Sequence, residues 1–221
     1  MRPSEWAGQW PDPADAPGVH SEARLRYDAW DMLGTHHQTS TLALPSAGRL
    51  RLVCVADTHG RPHPDAARII AARRPDAILH AGDIGEGDVI AQLSALAPTI
   101  AVRGNIDPAD GSHVEIVTLH VAGADGQPKL TLLLTHIAVR GPRLRADARA
   151  AATEAGADIV VCGHSHVPFL ANDRGIAVFN PGSIGPRRFG LPIVFGVLDI
   201  GPKGVAFEHV DCETGERWHP R

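Results

Sequence analysis

The chain has 221 residues, 43% of them apolar, which is enough for one substantial α/β domain and short for two. A net charge of −4 leaves no basic footprint, so long nucleic acid is not expected as a partner. Cys54, Cys162 and Cys212 are too scattered for a disulfide framework, the start lacks an apolar leader, and no apolar run approaches about 18 residues. A cytoplasmic protein with no membrane attachment is therefore expected.

Residues 1–47 read as an N-terminal extension and 48–221 as the main domain. Pro3, Pro11, Pro13 and Pro17 break the start into extended or turning pieces. "SEARLRYDAWDML" then suggests a short helix, with Ser21 as N-cap and Glu22 and Arg26 at i,i+4 spacing. The extension carries Trp6, Trp10 and Trp30, three of the four tryptophans, and the single tyrosine. Disordered tails are poor in aromatics, so this segment is expected to dock on the main domain or to join two copies of the chain.

From Leu50 the pattern is regular. "LRLVCVAD" reads as a buried strand, "PDAARIIAARR" as a helix with Pro64 near its start, and "DAILHAGD" as the next strand and loop. "DVIAQLSAL" gives a second helix and "TIAVRGN" a third strand, a β-α-β-α-β run that implies parallel pairing. Beyond it, "HVEIVTLHV" and "KLTLLLTH" flank a turn-rich connection and read as a hairpin. "RLRADARAAATEAG" is an Ala-rich helix ending at Gly156. "ADIVVCGH", "VPFLAND", "IAVFN", "PIVFGVLDI" and "GVAFEHV" complete the set as short strands. The expected fold class is α/β, with two mixed sheets packed face to face and helices outside.

Five of these strands end in polar residues: Asp57-Thr58-His59, Gly82-Asp83, Gly104-Asn105, Thr135-His136 and Gly163-His164-Ser165-His166. In open α/β sheets the carboxyl edge is where ligands bind. Extended residues i and i+2 point to one side, so Asp57 and His59 can reach one ion, as can His164 and His166. Glycines before Asp83, Asn105 and His164 let the backbone turn sharply. Asp57, His59, Asp83, Asn105, His136, His164 and His166 thus form a seven-residue N and O donor set without thiolate. It suits two first-row divalent ions that share a carboxylate, with Mn expected to support activity and Fe, Zn, Co or Ni compatible with the same donors. Two such ions hydrolyse phosphate esters by neutralising phosphoryl charge and acidifying a bridging water to hydroxide.

The ordered motifs "DTH", "GD", "GN", "TH" and "GHSH" resemble those of the calcineurin-like metallophosphoesterase superfamily. "AVRGNID" and "FNPGSIGPRR" look like its small bacterial and archaeal phosphodiesterase branch, which is related to the retromer subunit Vps29. The resemblance covers roughly Leu50 to Val210. It implies a four-layer αββα sandwich, with Asp57, His59 and His166 on one metal, Asn105, His136 and His164 on the other, and Asp83 bridging. It also implies a phosphodiesterase acting on a small phosphate ester or, as the alternative, a non-catalytic Vps29-like scaffold. Many members carry a His directly after the motif Asn; here Ile106 stands there, followed by Asp107, so the usual general acid has no counterpart. Ile137 replaces a Gly that the branch commonly has.

Arg103 and His63 are candidate substrate contacts, although Arg103 could instead pair with Asp107. Arg187 and Arg188 follow "NPGSIG" and stand as candidates for the rim of the site. His80 and His120 read as hydrogen-bonded structural residues, His36 and His37 as solvent-facing, and Asn180 as a supporting or turn-forming residue.

Overall fold

The computed structural model describes residues 25–27 and 37–219. Two strands come first, β1 (Leu25–Tyr27) and β2 (His37–Ala43). Then β3 (Leu50–Val55), α1 (Ala66–Ala72), β4 (Ala77–His80), α2 (Val89–Ser94) and β5 (Thr99–Ala101) alternate as the sequence suggests. The hairpin of β6 (Ile116–Ala122) and β7 (Pro128–Thr135) leads to a small ladder, β8 (Val139–Arg140) with β9 (Arg143–Leu144), and to α3 (Ala146–Glu154). After α3 the chain turns at Gly156, whose φ is +62°. The remaining strands are β10 (Ile159–Val161), β11 (Phe169–Asp173), β12 (Ile176–Asn180), β13 (Val194–Gly201), β14 (Gly204–Asp211) and β15 (Arg217–Trp218).

Among the described residues the strands form a seven-stranded sheet, β1-β2-β6-β7-β10-β12-β11, and a six-stranded one, β15-β14-β13-β3-β4-β5. Both are mixed. β3, β4 and β5 run parallel, as do β7, β10 and β12, while β13 is antiparallel to β3 and β6 to β7.

Strand alternation sorts the apolar side chains into three cores. Leu52, Cys54 and Leu79 of the smaller sheet meet Leu132, Leu134, Ile159 and Val161 of the larger one between the sheets. Their sequence neighbours Val53, Val55 and Ile78 face the other way, onto Ile69 and Ile70 of α1 and Val89 and Leu93 of α2. Leu133 and Val160 likewise turn outward to Ala148 and Ala152 of α3. Period-two burial on both sheets gives the αββα sandwich, because each strand has apolar residues for two faces.

The short helix expected from Ser21 is corrected at Leu25–Tyr27, which form a strand; the rest of that segment lies outside the described residues. Pairing of Leu25, Arg26 and Tyr27 with Leu42, Thr41 and Ser40 overrides a weak local helix preference. The next part of the expected extension, β2, is a strand of the larger sheet, in parallel register with β6 from His37 opposite Ile116 to Ala43 opposite Ala122. Among the described residues, no helix is long and apolar enough to cross a membrane.

Candidate metal centre

All five expected polar punctuations lie at the carboxyl ends of their strands, at one edge of the sandwich. Asp57 and His59 follow β3, Asp83 follows β4, and Asn105 follows β5, all in the smaller sheet. His136 follows β7, and His164 and His166 follow β10, in the larger sheet. The loops stay laced beyond the strands: Asp57 N–H donates to Gly82 O (2.9 Å), His59 N–H to Asp83 O (3.0 Å), and Gly163 N–H to His136 O (3.0 Å).

The structure brings the seven side chains together. In one group, donor atoms of Asp57, His59 and His166 all lie within 4.8 Å of one another; in a second, those of Asp83, His136 and His164 do. The His59 and His166 rings stack with centroids 5.2 Å apart and Nε2 atoms 3.3 Å apart. Asn105 joins the second group, its Oδ1 standing 3.1 Å from His136 Nε2 and 2.9 Å from His164 Nδ1. Asp83 lies between the groups, with Oδ1 3.1 Å from His136 Nε2 and Oδ2 3.8 Å from His59 Nε2.

Backbone geometry departs from the extended picture. Asp57, His59, Asp83, His164 and His166 all have φ between +48° and +69°. Among the described residues these are five of the eight non-glycine residues with positive φ. Left-handed kinks, not an extended i,i+2 arrangement, aim these side chains into one volume. Such conformations persist only where the surroundings hold them. The three glycines act in two ways. Gly82 does turn at φ +85°, but Gly104 and Gly163 have no positive φ. Close approach explains them instead. A Cβ on Gly104 would stand 2.1 Å from Asp83 Oδ1, and one on Gly163 2.8 Å from Ala81 O.

The chemistry of the donor set fits divalent cations. His136 Nδ1 must donate to the carbonyl oxygen of Ala81 (2.7 Å), since a carbonyl only accepts. A neutral ring would turn its Nε2 lone pair on the oxygens of Asp83 and Asn105, a crowd of acceptors that a proton or a metal cation relieves. Burial works against the proton, but the hydrogen bond to Asp83 and the charge of Asp57 outweigh it and raise His136. Burial, followed by the charge of Arg188, lowers His166 to about 4 and also lowers His59, so both rings present lone pairs at neutral pH. Burial raises Asp57 to about 7 in the metal-free protein. Asp83 is also penalised by burial, yet the hydrogen bond and charge of His136 hold it at about 2.

Several supporting residues were not identified from the sequence. Asp107 is the clearest: it accepts backbone N–H groups of Ile84 (3.1 Å), Gly85 (2.9 Å) and Gly104 (2.7 Å), tying the loops after β4 and β5 together. Arg103, expected to pair with Asp107 if structural, forms its ion pair with Glu115 instead. Ser183 Oγ donates to Asp57 O (3.0 Å) beneath the first loop. Its place beside the "NPGS" turn was the one available signal. Asn180 is turn-forming and supporting at once, accepting from Gly182 N–H (2.9 Å) and donating to Gly163 O (2.8 Å).

His80 and His120 have structural partners. His80 is fully buried and bonded to Thr58 Oγ1 (2.9 Å), and His120 meets Thr131 Oγ1 (3.1 Å). His37 is exposed, with its Nε2 2.8 Å from Thr118 Oγ1; His36 lies outside the described residues. His63 Nδ1 accepts from Asp65 N–H (3.3 Å), and His63 N–H donates to Ile184 O (2.6 Å). A cavity of about 940 Å³ at the opposite end of the smaller sheet, lined by Arg51, Asp76 and Asp199 among others, contains none of the site residues.

Residues 50–203 match the family model for the calcineurin-like phosphoesterase superfamily domain. The chain is 32% identical over 109 residues to a probable metallophosphoesterase of Methanocaldococcus jannaschii, covering 49% of this chain and 53% of the relative. It is 39% identical over 106 residues to the phosphodiesterase YfcE of Escherichia coli strain K12, covering 45% and 52%. The aligned part thus spans about half the length of each of these two relatives. A solved structure of vacuolar protein sorting 29 from Cryptosporidium parvum has the same fold at a TM-score of 0.63, with 16% identity over 77% of this chain and 95% of that one. The extent of the family match, together with the ordered ligand edge, makes this chain a member of the calcineurin-like phosphoesterase superfamily.

Proposed function

We propose that the chain is a dinuclear metal-dependent hydrolase, a phosphodiesterase acting on a small phosphate ester. The observation that carries the reading is Asp83, which directs one carboxylate oxygen toward each histidine group. Asp57, His59 and His166 would hold one ion, Asn105, His136 and His164 the other, and Asp83 would join both. When bound, two divalent ions would supply the Lewis acidity that activates a water for attack and offsets charge on the phosphoryl oxygens. The protein contributes four imidazoles, one amide and two carboxylates, so a +4 metal pair would keep a net charge of +2 for an anionic ester.

What stands beside the site favours a diester with a stable leaving group. Ile106 offers no proton where many relatives in the family have His, and the Asp107 carboxylate is already committed to three backbone N–H groups. A leaving group that departs without a donated proton must be stable by itself, as an aryl oxide is. Mn is the metal proposed to support turnover, with Fe, Zn, Co or Ni admitted by the same donors. The buried free thiols Cys54, Cys162 and Cys212 support a reducing, cytoplasmic setting.

The likeness to vacuolar protein sorting 29 favours a second reading, a scaffold in which the fold serves contacts and residues 1–47 join copies of the chain. Metal-stripped protein resupplied with Mn²⁺ separates the two. Hydrolysis of bis-p-nitrophenyl phosphate faster than p-nitrophenyl phosphate, abolished together with metal binding in Asp83→Ala, is the expected result. Stoichiometric metal binding with no turnover of either ester would favour the scaffold.

A further inference from the structure

Four large apolar side chains are exposed among the described residues: Ile106 (48%), Val167 (42%), Leu170 (52%) and Phe189 (91%). Two directly follow candidate ligands, Ile106 after Asn105 and Val167 after His166. Ile106 is fixed there by its own N–H, which donates to Asp83 Oδ1 (3.2 Å). A scattered exposed Leu or Val needs no explanation, but exposed apolar residues next in sequence to two candidate ligands do.

Phe189 belongs to a loop built on the same floor. Ser183 donates to Asp57 O, and a Cβ on Gly185 would stand 2.2 Å from that oxygen, so residues 183–185 lie directly against the Asp57 loop. The tip then turns at Phe189 (φ +53°) and Gly190 (φ +67°), closed by Leu191 N–H donating to Arg188 O (2.9 Å). Two successive positive φ values are the pattern of a type I′ turn, whose central positions favour Gly, Asn or Asp. A Phe there is strained and almost wholly in water, so neither backbone nor core accounts for it.

The two arginines before it differ in use. Arg187 braces the tip through Leu191 O (2.9 Å) and Glu213 (2.5 Å). Arg188 has no side-chain hydrogen bond or ion pair among the described residues, while its charge reaches Asp57, His59 and His166.

We propose that Ile106, Val167 and Phe189 form an apolar rim receiving a flat aromatic group on the substrate, while Arg188 meets its phosphoryl oxygens. The substrate class is then a phosphate ester bearing an aryl or nucleobase ring. This rests on the phosphoesterase reading above and adds to it the recognition of the group beside the phosphorus.

Binding of simple anions to the Mn²⁺-loaded full chain tests the rim without requiring turnover. By calorimetry, phenylphosphonate should bind about tenfold more tightly than methylphosphonate, the effect of partly burying one ring. Phe189→Ala should remove most of that difference and Phe189→Trp should keep it. Arg188→Ala should weaken both ligands alike. Thymidine monophosphate separates the sources of the ring: tighter binding than phenylphosphonate assigns a nucleobase, and weaker binding assigns an aryl group. Equal affinity for the methyl and phenyl ligands in the unmodified chain would overturn the rim. An ester assay on the same preparation keeps the two ideas apart. Turnover with equal affinities removes the rim alone, and a Phe189-dependent preference without turnover removes the hydrolase alone.

Discussion

Asp107 accepts three backbone N–H groups from two loops, so its loss would strand three donors in a largely buried region. Each unsatisfied donor costs on the order of 1–3 kcal/mol, and partial rehydration makes about 2–4 kcal/mol a reasonable total for Asp107→Ala. The same change frees the loop that carries Asn105, so metal affinity should fall roughly 10–100-fold. Thermal melts and metal titrations of Asp107→Ala and Asp107→Asn check this, with Asn intermediate because one acceptor oxygen survives. His80 gives a pH-dependent counterpart. Its Nδ1 accepts from Gly82 N–H (3.2 Å), so Nε2 carries the proton, donated to Thr58 Oγ1, whose own hydroxyl donates to Ile84 O (2.8 Å). Burial lowers His80 to about 3, and a second ring proton would point at the Gly82 N–H. Between the ordinary 6.5 and about 3 the unfolded chain binds a proton that the folded chain does not. Stability from neutral His80 is therefore present above pH 6.5 and lost as pH falls toward 3, with a slope of up to ~1.4 kcal/mol per pH unit. Denaturant melts from pH 7 downward, in unmodified chain and His80→Gln, should differ by that slope; parallel curves would refute it.

At the scale of elements, β2 ties the start of the chain to the domain. It pairs with β6 along seven positions and buries Leu42 completely. Burial of one Leu is worth about 1.5–3 kcal/mol and each net backbone bond about 1 kcal/mol, so the strand contributes several kcal/mol to a domain whose total is typically 5–15. Deleting residues 1–47 should therefore unfold or aggregate the protein, because it also bares the β6 edge. Circular dichroism and light scattering check it, and a soluble truncated chain melting at the original temperature would contradict it. The sequence carried the alternation of Leu50 to Val55 and the hairpin around residues 123–127 plainly, because period-two burial leaves a direct pattern. Leu25–Tyr27 left no such trace, since an edge strand of three residues depends on its partner and not on its own composition. The seven candidate site residues were readable as polar endings on apolar strands. Their left-handed backbone was not, because positive φ at Asp or His is imposed by packing such as the Gly104–Asp83 approach. Nor was the role of Asp107, whose partners are backbone N–H groups with no sequence signature.

For the whole molecule, the candidate centre is a seam between the two sheets. The first group takes Asp57 and His59 from the smaller sheet and His166 from the larger; the second takes Asp83 and Asn105 from the smaller and His136 and His164 from the larger. A cation in either group would therefore cross-link the layers on either side of the central core. Because the groups are assembled only by folding, any ion held there favours the folded chain by RT ln(1 + [L]/Kd), about 2.7 kcal/mol per site at a hundredfold excess over Kd. For a chain of this size that corresponds to a rise in Tm of roughly 5–10 °C for each site, or about 10–20 °C with both filled, on adding Mn²⁺ to stripped protein, reversed by chelator. Asp83→Asn should keep the stripped-protein fold but lose most of the increment at both sites, since its carboxylate faces both groups. Acid should erase the increment too: protons compete for His59, His166 and the Asp57 carboxylate, which without metal titrates at about 7. The Mn²⁺-dependent rise in Tm should thus be full at pH 8 and shrink steadily below pH 7. A rise independent of pH, or one retained in Asp83→Asn, would mean that the ion stabilises the protein from somewhere other than this seam.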